Sequence, residues 1–244
     1  MLRFYTPADQ KKTFLDLYRI KSVEDYIESI SKLNIDVPAL KEQNSIHPDY
    51  AFIENYLSKL INNSSRVCFL GVFDLAKEAY FINEYPHKTF LVGDVSTKAL
   101  SCLERYYPNL QICKTTLDKF DAKPDDLLVI NLAEYFLTQE QLSILVSKGG
   151  TVILNNAHLY IQGWCWIFYS IAQEIRALSL NILATITGQR QWQFRGWWRT
   201  IGDFVVAAHD SKKYVKAVIF NNRRARDTVF GRIHCAMIHF ESES

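Results

Sequence analysis

A small set of residues in this chain stands where residue type and spacing make chemistry possible. Gly71 ends the apolar run 67–70, and Asp94 follows Gly93 after a second run, 89–92. Val95 follows Asp94, Asn131 and Leu132 stand at the end of the run 126–131, and Asn155, Asn156 and His158 follow the run 151–154. A glycine turn leading into a helix lets backbone N–H groups approach a ligand closely, and a carboxylate beside it accepts hydrogen bonds from hydroxyls. A histidine titrates near neutrality and can act as a general base; Glu134 and Tyr135 are further polar candidates at the same strand ends. Each has an ordinary reading as well. Gly71 fits a plain strand-to-helix turn, Asp94 a helix-capping or surface acid near Ser96, and His158 a packed histidine. A second group runs through Arg190, Trp192, Phe194, Arg195, Trp197, Trp198 and Arg199. Aromatics interleaved with arginines stack on sugars or bases and bind phosphates, and tryptophans at such spacing also fit the core of a hairpin. A third, Arg223, Arg224, Arg226 and Arg232, reads most simply as a solvated loop.

The elements that must hold these residues alternate regularly. The runs 67–70, 89–92, 110–114, 126–131 and 151–154 read as strands. Between them lie helix-forming stretches: one from Asp74 to Glu84, one capped by Ser96 and stopped by Pro108, and one opened by the capping box Thr138-Gln139-Glu140-Gln141 and closed by Gly149-Gly150. Five strands alternating with helices predict an open parallel sheet with helices on both faces and right-handed crossovers. Such a layout delivers a glycine turn, a helix N-terminus and a carboxylate to one sheet edge, where adenosine-containing cofactors dock. Residues 1–63 read as helical, with breaks at Val37-Pro38 and His47-Pro48. After the fifth strand a long apolar helix is expected over 160–178, then strand-like runs at 181–186, 204–208, 214–220 and 233–240. The expected organisation is an N-terminal helical extension or lid over 1–64, a core over 65–210 and a C-terminal extension over 211–244.

Composition narrows the function. Of 244 residues 48% are hydrophobic, ample for a continuous core, and the 28 basic and 26 acidic residues leave a net charge of +2. That balance supplies no electrostatic pull towards nucleic acid or a membrane surface. The amino terminus lacks an apolar signal-like core, and the most apolar window, 159–172, is shorter than the roughly 20 residues a membrane span needs. The expected setting is cytoplasmic. Five widely spaced cysteines fit reduced, mostly buried thiols, so neither a disulfide framework nor a metal site is expected.

The ordered set of motifs resembles the class I S-adenosylmethionine-dependent methyltransferases. The matching residues are Val67 to Gly71, Leu91-Val92-Gly93-Asp94-Val95-Ser96 with Ala99-Leu100, Asp126 to Leu132, and Ser147-Lys148-Gly149-Gly150-Thr151-Val152-Ile153. The resemblance covers roughly residues 65–210. It implies a Rossmann-like, doubly wound, mostly parallel seven-stranded α/β sheet with C-terminal β additions, and S-adenosylmethionine as cofactor. By the same resemblance Gly71 and Phe73 belong to the cofactor loop and Asp94 to the ribose site. Val95 would lie along the adenine, with Asp118, or Thr115 and Thr116 beside it, near the adenine's polar contact. Asn131 and Leu132 mark where cofactor and acceptor meet. His158 is the expected catalytic base on its own position, as the one histidine at a strand end. Tyr135, Trp192, Arg195 and Trp198 are expected to contact the acceptor, a small molecule or glycan precursor, with nucleic acid ranked below. The chain departs from the family at the loop, where Phe69, Phe73 and Leu75 stand in place of an acid and two further glycines. Two readings follow: an enzyme whose cofactor sits differently, or a fold retained as a non-catalytic scaffold or partner-binding module.

Overall fold

The structure, a computed structural model, describes residues 1–7, 39, 42–72, 75–95, 100, 104, 107, 110–117, 119–162, 166–188, 192–228 and 231–242. Phe73, Asp118, Arg190, the expected helices within 8–38 and most of the helix after Ser96 lie outside the described residues.

Strand β1 (Leu2–Pro7) is followed by α1 (Pro48–Ala51), α2 (Glu54–Asn63), β2 (Arg66–Leu70), α3 (Ala79–Glu84), β3 (Thr89–Asp94), β4 (Gln111–Lys114) and β5 (Asp126–Asn131). A 3-10 turn over Glu134–Phe136 leads to α4 (Gln139–Val146), β6 (Thr151–Gln162), α5 (Trp166–Thr187), β7 (Trp192–Trp198), α6 (Ile201–Asp210), β8 (Lys213–Thr228) and β9 (Gly231–Ser242). Seven strands form one sheet in the order β4-β3-β2-β5-β6-β9-β8; β2 to β6 pair in parallel, and β9 lies antiparallel between β6 and β8. From β2 the chain winds outwards through β3 and β4, then returns to β5 and β6 on the other side. The direction of winding therefore reverses between β2 and β5, and in open α/β sheets that reversal opens a crevice beyond the strands' carboxyl ends.

Period-two alternation sorts the central strands' side chains onto two faces. Cys68, Leu70, Leu128 and Ile130 pack with Leu142, Leu145 and Val146 of α4 and with Phe204, Ala207 and Ala208 of α6. Val67, Phe69, Leu127 and Val129 face Leu57 and Ile61 of α2 and Ala79 and Phe81 of α3. Cover on both faces is why β5 is buried along its whole length. At the opposite end of the sheet from the crevice, Arg66 grips Asp126 with two hydrogen bonds of 2.8 and 2.5 Å.

Several local expectations are corrected. Residues 2–7 are not helical: they form β1, paired antiparallel with β7 in a separate two-stranded ribbon. The fifth strand of the sheet continues to Gln162, so the long helix starts at Trp166, not at residue 160, and its run to Thr187 absorbs the expected strand 181–186. Residues 204–208 lie in α6, where Phe204, Ala207 and Ala208 are buried while Val205 and Val206 are exposed, a helical rather than an alternating pattern. The sixth and seventh strands of the sheet are the two tail runs, as β8 and β9.

Candidate active site

The glycine turn after β2 stands at the winding reversal. Gly71 adopts φ +71°, and a Cβ at this position would lie 3.0 Å from the Cβ of Ala133, so glycine is demanded twice. Its N–H donates to the Gly93 carbonyl at 2.8 Å, which sets the turn directly beside Asp94. Asp94 is the last residue of β3 rather than a residue past its end, and it is buried; Val95 follows, half-buried. The Asp94 carbonyl accepts the Thr115 N–H at 3.0 Å, and the Leu132 N–H donates to the Asn155 carbonyl at 3.1 Å. Thr115, Asp94, Gly71, Ala133 and Asn155 thus form one continuous row across the carboxyl edges of five adjacent strands. The buried Thr116 hydroxyl, next to this row, has no hydrogen-bond partner among the described residues.

Leu75 occupies a position where the resembled family carries glycine, and it takes a left-handed backbone, φ +63°. Its side chain is fully buried among Val67, Phe69, Val72 and Ala79, inside the core under the turn. The chain thus keeps a glycine-like backbone here while the side chain adds to the core.

Beside the turn lies a buried amide cluster. Asn131, at the end of β5, accepts from Asn155 at 3.1 Å and from Asn156 at 3.4 Å. Both asparagines also donate to the Asp49 carbonyl of α1, at 2.9 and 2.7 Å, and Asn156 accepts from Asn221 at 2.8 Å. Asn131 Nδ2 and Asn155 Oδ1 are buried without a hydrogen-bond partner among the described residues, one donor and one acceptor at the ends of β5 and β6. Such orphaned groups in a dry site are costly unless a ligand or water meets them.

His158 sits within β6, not after its end. Its backbone N–H donates to Glu134 Oε1 at 3.0 Å, its Nδ1 lies 3.8 Å from the same oxygen, and the Tyr135 ring meets its imidazole edge to face at 5.3 Å. Glu134 is 1% exposed, and its carbonyl accepts from the guanidinium of Arg199 at 3.0 Å. Arg199, fully buried, also donates to the Leu137 carbonyl. Burial pulls its pKa below the ordinary value, against the opposing charges of Glu134 and Asp203. Gly196 of β7, φ +150°, lets the ribbon close on this turn: a Cβ there would lie 2.3 Å from the Tyr135 carbonyl.

The aromatic-basic segment is divided by the fold. Trp198 stacks on Tyr169 at 5.9 Å, which in turn stacks on Tyr160 at 6.0 Å, and Arg199 pairs its backbone beside His158. Trp192 lies at the far end of β7, opposite Pro7, with Arg176 4.8 Å above its ring; Arg195 is in the middle of that strand. Gly71, Asp94, Val95, Asn131, Leu132, Tyr135 and His158 are therefore brought to the sheet edge, Trp198 lies close to it, and Trp192 is remote. Sequence alone does not mark Asp49 or Asn221. Asp49 follows a proline that reads as a break, and Asn221 reads as part of a basic loop, so neither gave a chemical signal.

No protein-family model and no curated protein sequence matches the chain. Solved structures do. The magnesium protoporphyrin IX methyltransferase of Synechocystis PCC 6803, with bound SAH, superposes with a TM-score of 0.50 at 13% identity, over 91% of this chain and 98% of that one. A SAM-dependent methyltransferase of Methanosarcina mazei gives a TM-score of 0.50 at 11% identity, over 77% and 96%. What these likenesses show is the architecture: this chain shares the Rossmann-like α/β fold of those two methyltransferases.

Proposed function

We propose that the protein is an S-adenosylmethionine-dependent methyltransferase that acts on a small molecule or glycan precursor. The observation that carries this reading is the contiguous row Thr115, Asp94, Gly71 and Ala133 at the point where the sheet's winding reverses. A ribose diol would donate to the Asp94 carboxylate, the methionine portion would run along the Gly71 backbone, and Val95 would lie against the adenine. The Thr116 hydroxyl and Asn131 Nδ2 supply polar atoms in want of a partner, which fits a polar ligand. The bound cofactor would supply an electrophilic methyl group on sulfur, so the chain's own task is to align a nucleophile and, where that nucleophile carries a proton, to remove it. His158 is the residue we assign to that proton, with buried Glu134 fixing its place in β6 and Tyr135 packed on its ring. The low net charge favours a small acceptor over a nucleic acid. The scaffold reading draws on Phe69, Phe73 and Leu75; the inward burial of Phe69 and Leu75 favours the enzyme.

Calorimetric titration with S-adenosylmethionine and S-adenosylhomocysteine tests the cofactor. Micromolar binding is expected, weakened by about 1–3 kcal/mol in Asp94→Ala, the usual cost of losing a charge-assisted hydrogen bond. Absence of binding to the wild type at millimolar ligand would transfer the proposal to the scaffold reading. With an acceptor in hand, His158→Gln should lower kcat while leaving the affinity for S-adenosylmethionine unchanged; a loss of both would instead make His158 a structural residue.

A further inference from the structure

Helix α5 has two contrasting faces. One is docked on the β1–β7 ribbon: Glu174 accepts from Tyr5 at 2.5 Å and from Arg3 at 3.4 Å, and Arg176 lies over Trp192. Asn181 brackets the Trp192 backbone, donating to its carbonyl at 2.8 Å and accepting its N–H at 2.5 Å. The charged residues of the helix are thereby engaged with its own ribbon. The opposite face shows Phe168, Ile171, Ile175, Leu178, Ile182, Leu183 and Ile186, each between 51% and 77% exposed. From Phe168 to Ile182 the steps are three, four, three and four, the spacing of the a and d positions of a coiled-coil seam. Over 18 residue steps at about 1.5 Å each the stripe is roughly 27 Å long.

Seven such side chains, at roughly 100 Å² of exposed apolar surface apiece, present about 700 Å². That exceeds the few hundred Å² usual for a monomer's patches and approaches the roughly 800 Å² that each partner contributes to a standard interface. A helix lying on a membrane would flank its apolar face with lysines and arginines, whereas Arg176, held on Trp192, is the only one in α5. An uncharged stripe with heptad spacing is complementary to itself, which is what a two-fold contact requires. We propose that two copies of the chain associate through this stripe, α5 packing against α5 across a two-fold axis.

Sedimentation equilibrium of the full chain at micromolar concentrations tests this. The wild type should show twice the monomer mass of 28.3 kDa. Ile175→Glu/Leu178→Glu should sediment as a monomer with an unchanged far-UV circular dichroism spectrum. Val205→Glu, at an exposed apolar site on α6, should remain dimeric. A wild type that is monomeric throughout, a dimer that survives the double substitution, or dissociation by Val205→Glu as well would overturn the proposal. So would a monomer that sediments with phosphatidylcholine vesicles, which would assign the stripe to a membrane surface.

Discussion

Leu75 is the residue at which two opposed effects meet in one side chain. A left-handed backbone costs a non-glycine residue about 1–2 kcal/mol, whereas deleting a fully buried leucine side chain costs about 2–5 kcal/mol. Burial wins, so Leu75→Gly should destabilise the protein by about 1–3 kcal/mol in urea unfolding, even though it restores the glycine of the resembled family. A stabilised variant would mean that strain outweighs packing. Because the side chain points into the core, cofactor affinity should not rise with this substitution, and a tighter complex would show that Leu75 intrudes on the crevice. Gly71 behaves differently. Its positive φ and the 3.0 Å approach to Ala133 act together, so Gly71→Ala should lose both stability, by about 1–2 kcal/mol, and ligand affinity. Preserved affinity in that variant would show that the turn is only a connection.

Elements built on strong local signals were legible in the sequence, and those that depend on tertiary partners were not. The strand of β5 and the Thr138 capping box with Gln141 were readable because apolar run, turn residues and cap agree locally. Asn155 and Asn156 look like the end of a strand, yet β6 continues through them to Gln162 with an irregularity in its pairing between Leu154 and Ala157. What sustains it is remote: the Asp49 carbonyl and Asn131 accept from the Asn155 and Asn156 side-chain N–H groups, Asn221 donates to Asn156, and a single sequence does not show those partners. The same holds for the site, where Gly71 and Asp94 carried a pattern but their adjacency needed the sheet. For α6 a usable signal existed. Phe204-Val205-Val206 favours a strand by composition, but Thr200 and Asp203 form a capping box that marks a helix start. Thr200→Ala should therefore destabilise by about 1 kcal/mol, lowering the melting temperature by about 2–4 °C. An unchanged melting temperature would place the start of α6 under the control of Phe204 burial rather than of the cap.

Across the whole molecule the carboxyl edge of the sheet is separate from regions that set stability, and pH reads the latter. At the far end Asp126 is pulled up by burial, but Arg66 and the Lys123 N–H outweigh this and hold its carboxyl below the ordinary value. A carboxyl depressed on folding stabilises above the unfolded value of about 3.9 and loses that contribution as pH falls through its folded value. Removing Arg66 leaves a buried charge with only the Lys123 N–H and the weak Cys68 thiol donor, so Arg66→Ala should cost about 3 kcal/mol at neutral pH. His239 of β9 titrates in a separate window. Burial lowers its pKa to about 4, its Nδ1 meets the Tyr56 hydroxyl at 2.6 Å, and Lys216 and Lys213 push in the same direction against Glu241. Below about 6.5 the unfolded chain takes up a proton that the folded chain refuses until about 4, so stability declines as pH falls between those values. The melting temperature should accordingly fall from pH 7 to pH 4 in the wild type, and His239→Gln should flatten that interval while leaving the steeper loss below pH 4, which belongs to Asp126 and the other carboxyls. If the variant follows the wild-type curve throughout, His239 is solvated as readily as a histidine in the unfolded chain, and its packing between α2 and the sheet is looser than the 2.6 Å contact with Tyr56 implies.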